Sequence, residues 1–243
     1  MKVSELQELL GVSDMTVRRC LNEMANEGLI KRVHGGAVAI EEWEREDPFS
    51  SRVSKNLDVK IAMAKKAVEM ITDGGSVYMD GGTTCYEVSK QLAYSGKKCV
   101  IITDSIAVLR ELRNVPGIKA ILLGGELAED GNSVDGHLAA ENAARFTVDL
   151  CIFSTGGFDN EQLELQQLTS IPTKKVVFQR ASSIMCVSDS SKYKLSRCFR
   201  FCDWEEVDSF VTDSRLPEEA RQAITAKGVQ VHLVDVPGIP LIE

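Results

Sequence analysis

Five short polar loops of this chain carry residue types that suit the binding of an anionic ligand. They are Asp80-Gly81-Gly82-Thr83-Thr84, Thr103-Asp104-Ser105, Gly124-Gly125-Glu126, Ser154-Thr155-Gly156-Gly157 and Asp189-Ser190-Ser191-Lys192. Glycine lets backbone N–H groups approach an anion, Thr and Ser add hydroxyl groups, and a helix N-terminus carries partial positive charge. Helices expected to begin at Thr84 and Ser105 direct that charge toward a phosphate, with Lys192 as the countercharge. Asp80 and Asp104 suit the hydroxyl groups of a sugar.

A single loop of this kind is also an ordinary connection between a strand and a helix, but five of them at one edge of a sheet predict a ligand pocket. The residues expected to bind the ligand are Asp80, Gly82, Thr83, Thr84, Thr103, Asp104, Ser105, Gly124, Gly125 and Lys192. An enzyme is the alternative, because the carboxylate of Asp80 suits proton abstraction when an electrophilic group lies beside it. We expect no catalytic residue, no cofactor and no metal ion.

The loops follow seven apolar runs whose lengths predict strands. The runs are SVYM from residue 76, CVIIT from 99, KAILL from 119, LCIF from 150, IMCV from 184, SFVT from 209 and VQVHLV from 229. Helix-length segments separate most of them, and a further helix is expected from Leu57 to Ile71. This alternation predicts a mostly parallel sheet covered on both faces. All five loops then lie at its carboxyl edge, where open α/β sheets bind ligands.

The first forty residues predict a winged helix-turn-helix. A short helix ends at Gly11, where a left-handed conformation costs glycine little, and Ser13 caps a second helix. Apolar residues at helical spacing, Val17, Leu21 and Met24, are expected to face the core. Two short alternating runs around a His-Gly-Gly turn then predict a hairpin, the wing of the domain.

The same segment carries basic and polar residues where a domain of this kind meets a DNA duplex. Recognition helices present their first turns to base edges and phosphates, and arginine suits bidentate contacts with guanine or phosphate. The residues expected to contact DNA are Ser13, Thr16, Arg18, Arg19, Lys31, Arg32 and His34. Paired basic residues are often merely solvated, but here the helices, a glycine stop and a basic hairpin occur in the order of a winged helix.

The net charge of −8 does not exclude DNA binding, because the acidic excess lies outside the N-terminal segment. Residues 1–40 hold five Lys or Arg and five Asp or Glu, and four of the basic residues form two adjacent pairs, as phosphate neutralisation requires. Seven cysteines and three scattered histidines indicate buried thiols rather than disulfides or a zinc site. No apolar run approaches the roughly 20 residues of a membrane span and no signal-peptide pattern opens the chain, so we expect a cytoplasmic protein with no membrane partner.

The segment GVSDMTVRRCLNEMANEGLIKRVHGGAV resembles the N-terminal domain of the DeoR family of bacterial transcriptional regulators. The resemblance continues through PFSSRVSKNLDVKIAMAKKAVEMITDGGSVYMDGGTT, ITDS, LLGGEL and SDSSK, and so covers nearly the whole chain. It implies a sensor domain with a fold like that of ribose-5-phosphate isomerase, which senses a phosphorylated sugar or a related metabolite. The residues that match the ligand-site motifs of the family are Asp80, Gly82, Thr83, Thr84, Ser105, Gly125 and Lys192.

The chain departs from the family pattern in two places. Before the SDSSK strand, QLELQQLTSIPTKKVVFQRA stands where the family has a run with an acidic cluster, so residues 168–170 are Leu, Thr and Ser. Cys20 stands where an aspartate often follows the two arginines. Asp159 and Lys174 are candidate ligand contacts, but charged residues are mostly exposed, and a surface or loop-anchoring position is expected for both.

These observations predict an α/β protein with a winged helix-turn-helix at residues 1–40, a linker at 41–56 and an effector-sensing domain at 57–243. Winged-helix domains of this family begin with another helix, and only three residues precede Ser4, so we expect that helix to be absent and DNA binding to be weak or conditional.

The predicted function is repression of a sugar catabolic operon under the control of a phosphorylated sugar. The expected partners are operator duplex DNA, a phosphorylated sugar effector and further copies of the chain. A homodimer or homotetramer is expected because two operator half-sites need two DNA-binding domains. The alternatives are a sugar-phosphate isomerase-like enzyme and a sensor module with impaired DNA binding.

Overall fold

The computed structural model describes residues 2–26, 30–33, 35–39 and 48–236. The chain folds into two units, Met1–Lys55 and Asn56–Glu243. Each unit has buried apolar clusters of its own. Within the described ranges, none of the helices has the length and apolar character needed to cross a membrane.

The N-terminal unit consists of two helices, a hairpin and a further short helix. They are α1 (Val3–Leu10), α2 (Asp14–Asn26), β1 (Ile30–Val33), β2 (Gly36–Ala39) and α3 (Phe49–Ser54). β1 and β2 pair antiparallel. The order of helix, helix and hairpin is the one predicted for a winged helix-turn-helix. α3 lies within the segment predicted to be a linker.

Local residue types explain where α1 ends and α2 begins. Gly11 ends α1 in the left-handed region with a φ of 65°, a conformation that glycine adopts without the steric cost of a Cβ atom. The Oγ of Ser13 accepts a hydrogen bond from the backbone N–H of Thr16 at 3.2 Å and so caps the first turn of α2.

The core of this unit is small. Among the described residues its buried cluster consists of Val3, Val17, Leu21 and Ala37. Met24 was expected to join them but is 39% exposed, because the buried part of α2 ends one turn earlier, at Leu21.

The C-terminal unit is a seven-stranded sheet with helices on both faces. In chain order its elements are α4 (Leu57–Met70), β3 (Ser76–Met79), α5 (Thr83–Ala93), β4 (Cys99–Thr103), α6 (Ile106–Leu112), β5 (Ile118–Leu122), β6 (Glu126–Leu127), β7 (Val134–Asp135), α7 (Gly136–Ala143), β8 (Leu150–Phe153), β9 (Gly157–Phe158), β10 (Gln162–Leu165), α8 (Ile171–Phe178), β11 (Ile184–Val187), β12 (Phe199–Asp203), β13 (Ser209–Asp213), α9 (Glu218–Ala226) and β14 (Gln230–Val234). The sheet has the order β14-β13-β11-β8-β3-β4-β5, and its pairings are parallel. Each of the seven predicted strands overlaps one of these, and the predicted α/β fold class is confirmed.

The apolar patterns do not predict the remaining strands of this unit. β6 and β7 form a hairpin of two residues each, and β9, β10 and β12 form a separate antiparallel sheet in the order β12-β10-β9. β10 and β12, with the sequences QLEL and FRFCD, mix polar and apolar residues. They lack the continuous apolar run that marks a strand buried on both faces.

The two faces of the seven-stranded sheet bury different side chains. Val77 and Met79 of β3 belong to a cluster with residues of α4, α5 and α6. Tyr78 belongs to the cluster on the other face, which includes residues of α7, α8 and α9 and is rich in aromatic rings. We call this second side the aromatic face. Within it the rings of Phe158 and Phe210 lie 5.3 Å apart, edge to face.

The path of the chain divides the sheet between β3 and β8. From β3 it runs outward through β4 to β5, and it then returns to β8 and runs outward on the other side through β11, β13 and β14. The connections that follow β3 and β8 therefore leave in opposite directions and open a crevice at the carboxyl edge, where open α/β sheets bind ligands.

Candidate functional site

The carboxylate of Asp80 lies in this crevice and joins the loops that follow β3 and β8. Asp80 is buried. Its Oδ2 accepts a hydrogen bond from the backbone N–H of Ser154 at 3.2 Å, and its Oδ1 accepts one from that of Gly81 at 2.8 Å. A Cβ atom on Gly82 would stand 2.0 Å from the Oγ of Ser154, so the two loops approach closely only because residue 82 is glycine.

Lys174 of α8 lies in the same cluster, which corrects the expectation of a surface or loop-anchoring position. Its Nζ forms a short hydrogen-bonded ion pair with the Oδ1 of Asp80, and only 6% of the lysine and 4% of the aspartate side chain are exposed. Burial alone lowers the pKa of a lysine, but the carboxylates of Asp80 and Asp104 outweigh it and hold the pKa of Lys174 above its ordinary value. The expectation of an exposed position failed because charged residues are mostly exposed unless they are paired, and the sequence does not show that Lys174 pairs with Asp80.

Asp104 follows β4 and is held by Tyr78 of β3. The Tyr78 hydroxyl donates a hydrogen bond to the Oδ2 of Asp104 at 2.7 Å, and both side chains are buried. Burial raises the pKa of Asp104 from 3.8 to about 6; Lys174 opposes this rise and Asp80 adds to it. The other carboxylate oxygen, Oδ1, is buried without a hydrogen-bond partner in the part of the chain that the structure describes.

Other buried hydroxyl groups in the same region also have no partner among the described residues. They are the Oγ1 of Thr84 in α5, the Oγ1 of Thr173 in α8 and the Oγ of Ser188 after β11. An unpaired buried polar group costs about 1–3 kcal/mol, and native proteins hold few of them. α5 begins at Thr83, so its first backbone N–H groups also lie at this edge. Thr83 and Thr84 therefore stand where a polar ligand finds donors and acceptors.

The hydroxyl groups of Thr103 and Ser105 hold their own loop together. The Oγ1 of Thr103 donates to the carbonyl oxygen of Met79 at 2.6 Å and accepts from the backbone N–H of Ser105 at 2.9 Å. The Oγ of Ser105 caps α6 by accepting from the N–H of Val108 at 3.2 Å. These bonds fix the position of Asp104, and direct contact of either hydroxyl with a ligand stays a prediction.

Lys192 reaches the loop that follows β8. Its Nζ donates a hydrogen bond to the carbonyl oxygen of Thr155 at 2.7 Å, one residue beyond Ser154. The segment that carries Lys192 is anchored through Asp189, whose Oδ1 accepts from the Nδ2 of Asn56 at 3.0 Å. The structure thus brings the predicted countercharge to the crevice.

Gly124 and Gly125 follow the edge strand β5 and pack toward α7. A Cβ atom on Gly125 would stand 2.5 Å from the carbonyl oxygen of Asp135 and 3.0 Å from the Cβ of Ala139. Close packing against α7 accounts for glycine at residue 125, and a ligand contact by either glycine stays a prediction.

Asp159 is a loop anchor. Its Oδ1 accepts hydrogen bonds from the backbone N–H groups of Glu161 and Gln162 at 2.8 and 2.9 Å, and its carbonyl oxygen accepts from the Nε1 of Trp204 at 2.8 Å.

Sequence reasoning overlooked Tyr78, which lies inside an apolar run. The signal was the hydroxyl group itself, because a tyrosine buried in a parallel strand needs a hydrogen-bond partner.

A cavity of about 250 Å³ lies at the opposite edge of the sheet, where the strands begin. Its lining includes Ser76, Asp149, Ser183, Asp208 and Gln230. The Oδ2 of Asp149 accepts from the backbone N–H of Ser76 at 2.7 Å, which holds the pKa of Asp149 below its ordinary value. Asp208 accepts from the N–H of Ile184 at 2.7 Å. Both carboxylates stabilise strand ends.

In the N-terminal unit, two of the three predicted arginine contacts lie exposed on α2. The Nε of Arg18 pairs with the Oδ1 of Asp14 at 2.5 Å, and the Nε of Arg19 lies 3.9 Å from the Oε1 of Glu23. Exposed pairs of this kind contribute little to stability, so a DNA phosphate can compete for either guanidinium group.

The other predicted DNA contacts are placed less fully. Ser13 and Thr16 face each other at the start of α2, with their hydroxyl oxygens 2.9 Å apart. Arg32 of β1 donates from its Nη1 to a backbone carbonyl at the start of β2, at 2.9 Å. Lys31 lies in β1, but its side chain and the whole of His34 lie outside the described residues.

Comparison with known proteins finds similar solved structures and similar regulators. Over 58% of this chain and 55% of the other, the fold resembles ribose 5 phosphate isomerase A from Neisseria gonorrhoeae, with 19% identity and a TM-score of 0.43. The HTH-type transcriptional regulator GlpR of Haloferax volcanii is 33% identical over 230 residues, 94% of this chain and 89% of that protein. The glycerol-3-phosphate regulon repressor of Escherichia coli is 29% identical over 94% of this chain and 90% of its own.

One family profile matches most of each of the two units of the chain. The DeoR-like helix-turn-helix domain matches residues 1–43, and the DeoR C terminal sensor domain matches residues 55–214. The chain therefore belongs to the DeoR family of transcriptional regulators.

Proposed function

We propose that this chain is a cytoplasmic repressor of a sugar or carbohydrate catabolic operon. Its N-terminal unit binds operator duplex DNA, and a phosphorylated sugar bound at the carboxyl edge of the sheet controls it. Membership of the family supports the DNA-binding role. The E. coli relative, named as a repressor of a glycerol-3-phosphate regulon, supports a phosphorylated carbohydrate as the effector.

The observation that carries the proposed effector site is the set of buried polar groups at the crevice between β3 and β8. Asp104, Thr84 and Ser188 each present a buried oxygen without a partner among the described residues. The hydroxyl groups of a sugar supply partners for such oxygens. A phosphate is attracted by Lys192 and by the N-terminus of α5, which begins with two threonines.

We infer that the chain is not an enzyme. Its relatives are named as transcriptional regulators. The isomerase alternative relied on Asp80 as a base, but this carboxylate accepts bonds from Lys174, Gly81 and Ser154. A carboxylate committed to three donors is a poor proton acceptor, because each of these bonds favours its ionised form.

Effector control requires that the ligand bind two states of the regulator unequally. We propose that these states differ in how the DNA-binding units of a homodimer or homotetramer are arranged over two operator half-sites. Light scattering of the full chain, with and without ligand, measures the number of subunits.

Selection from a random duplex pool with the full chain tests DNA binding, and a thermal-shift screen of phosphorylated sugars tests effector binding. We expect an enriched sequence, salt-dependent affinity for it, and at least one sugar phosphate that raises the unfolding temperature and changes that affinity. No enriched sequence, or salt-independent binding, would contradict the repressor role. Turnover in an aldose-ketose isomerisation assay would favour the enzyme.

A further inference from the structure

We propose that Asp104 is the residue that selects the effector, by accepting a hydrogen bond at its Oδ1 from a hydroxyl group of a phosphorylated sugar or polyol. The inference rests on the proposed function and deepens it. It assigns different roles to Asp80 and Asp104, although the sequence analysis predicts the same role for both.

The two carboxylates of the crevice differ in their hydrogen bonds. Asp80 is satisfied by the chain itself, because Lys174 and Gly81 bond its Oδ1 and Ser154 bonds its Oδ2. Asp104 accepts the hydrogen bond of Tyr78 at its Oδ2, while its Oδ1 has no partner among the described residues. Asp80 therefore serves the fold, and Asp104 keeps an acceptor for a ligand.

The surroundings fix the direction in which Asp104 presents this acceptor. Tyr78 belongs to β3, which lies in the middle of the sheet between β4 and β8, and its ring is buried on the aromatic face. Its hydroxyl holds the Oδ2 of Asp104 at 2.7 Å, so the carboxylate cannot turn without losing that bond. An acceptor held by a buried partner discriminates strongly, because a ligand without a matching donor leaves it unpaired.

Gly81 leaves space beside the Oδ1 of Asp104. A Cβ atom on residue 81 would stand 3.4 Å from this oxygen, 3.4 Å from the Cβ of Ser133 and 3.6 Å from the Cβ of Ser105. These are ordinary van der Waals distances, so an atom of methyl size fits there without displacing its neighbours. Gly81 has no Cβ atom, and a ligand hydroxyl group can approach Asp104 in its place.

The charges around Asp104 favour a donor on the ligand. The groups that face it are Tyr78 from β3, Asp80 from the loop after β3 and Lys174 from α8. Two carboxylates share one ammonium group, and the ammonium already bonds Asp80. A ligand hydroxyl that donates to Asp104 stabilises its ionised form, so binding should tighten as the pH rises through about 6, the pKa of Asp104.

The test measures the affinity of the full chain for a panel of sugar phosphates and glycerol 3-phosphate, with millimolar ethyl phosphate as the ligand without a hydroxyl group. The variants are Asp104→Ala, Asp104→Asn and Gly81→Ala, and the control is Asp149→Asn, which removes a carboxylate at the opposite edge of the sheet. If Asp104→Ala does not fold, Asp104→Asn takes its place, because asparagine keeps the shape of the side chain. Calorimetry between pH 5 and pH 8 gives the affinities.

We expect Asp104→Ala to weaken the tightest sugar phosphate about 10- to 100-fold, as loss of a charge-assisted hydrogen bond does, and to leave ethyl phosphate within about twofold. Gly81→Ala should weaken the sugar phosphate as well, and Asp149→Asn should change neither ligand. The ratio of wild-type to Asp104→Asn affinity should rise with pH, a comparison from which titration of the phosphate itself cancels.

Equal weakening of both ligands, or no effect on either, overturns the role of Asp104 while leaving the proposed function intact. If no member of the panel binds the wild-type chain, the proposed function and this inference both fail.

Discussion

Replacement of Lys174 by methionine should destabilise the C-terminal unit far more than the same replacement of its neighbour Lys175. The Nζ of Lys174 is buried against the carboxylate of Asp80. Methionine keeps most of the length of the side chain but leaves the carboxylate buried with only its two backbone donors. Lys175 pairs instead with Glu206 on the surface, where both side chains are 40% or more exposed.

The expected magnitudes follow from this difference in burial. Loss of one partner of a buried ion pair costs about 3–5 kcal/mol, whereas an exposed pair contributes about 0–1 kcal/mol. For a domain of this size the loss at Lys174 corresponds to a fall in melting temperature of roughly 6–20 °C. Because the pKa of Lys174 is raised, its stabilisation is present below the ordinary lysine pKa and is lost only as the pH rises through the higher value. The full effect is therefore expected at neutral pH.

Urea unfolding of the full chain at pH 7.5, followed by circular dichroism, measures both variants. The double replacement Asp80→Asn with Lys174→Met should recover part of the loss, because it removes the unpaired charge. If Lys174→Met and Lys175→Met differ by less than about 1 kcal/mol, the range of an exposed pair, the ion pair does not stabilise the crevice and the reasoning is wrong.

Three further outcomes are expected. Asp104→Asn should stabilise the protein by up to about 3 kcal/mol at pH 7.5 in urea unfolding, because the folded-state pKa is raised from 3.8 to about 6 and native stability falls as the pH rises through that window; the gain should vanish only well below the unfolded-state value of 3.8. Combined replacement of Arg18 and Arg19 by alanine should weaken binding to the selected duplex about tenfold or more and reduce the salt slope by about 2 in fluorescence anisotropy. Gly82→Ala should lower stability by about 1–3 kcal/mol in thermal unfolding, because its Cβ displaces the Oγ of Ser154.

The first of these predictions is checked by its pH dependence, and the other two have a matched control variant. Wild-type stability that rises relative to Asp104→Asn between pH 4 and pH 7.5 would contradict the assigned pKa direction. Arg200→Ala removes a surface arginine of the C-terminal unit that pairs with Asp203, and it should leave the salt slope unchanged. Gly81→Ala adds a Cβ with ordinary contacts beside the same loop, so a loss of stability equal to that of Gly82→Ala would show that steric crowding at Ser154 is not the cause.

The five central strands of the parallel sheet were predictable because a strand that is buried on both faces has a continuous run of apolar residues. β3 and β8, whose loops form the crevice, were both found in this way. β10 and β12 were not, because both mix polar and apolar residues and both α8 and β11 lie between them in the chain. Their register depends on tertiary contacts that no local pattern records.

The site was predictable at residues whose type and position after a strand both point to a ligand, such as Asp80 and Lys192. It was not predictable at Lys174, because an ion pair between residues 94 positions apart leaves no local signal. Gly125 shows a second difficulty, because close packing against α7 by itself accounts for glycine there, while its contact with a ligand stays a prediction. Short motifs do not distinguish a glycine that admits a ligand from one that admits a helix.

The separation of Asp80 from Lys174 also sets an order of events during synthesis. The N-terminal unit is complete by about residue 55, and the lysine that completes the crevice is added more than a hundred residues later. At the usual pace of translation, the ribosome holds for several seconds a nascent chain that has its helix-turn-helix segment but not yet the lysine of the crevice. Translation that stops before α8 would leave a product with the DNA-binding unit and an incomplete sensor domain, so under the proposed function complete synthesis is itself a condition of regulation.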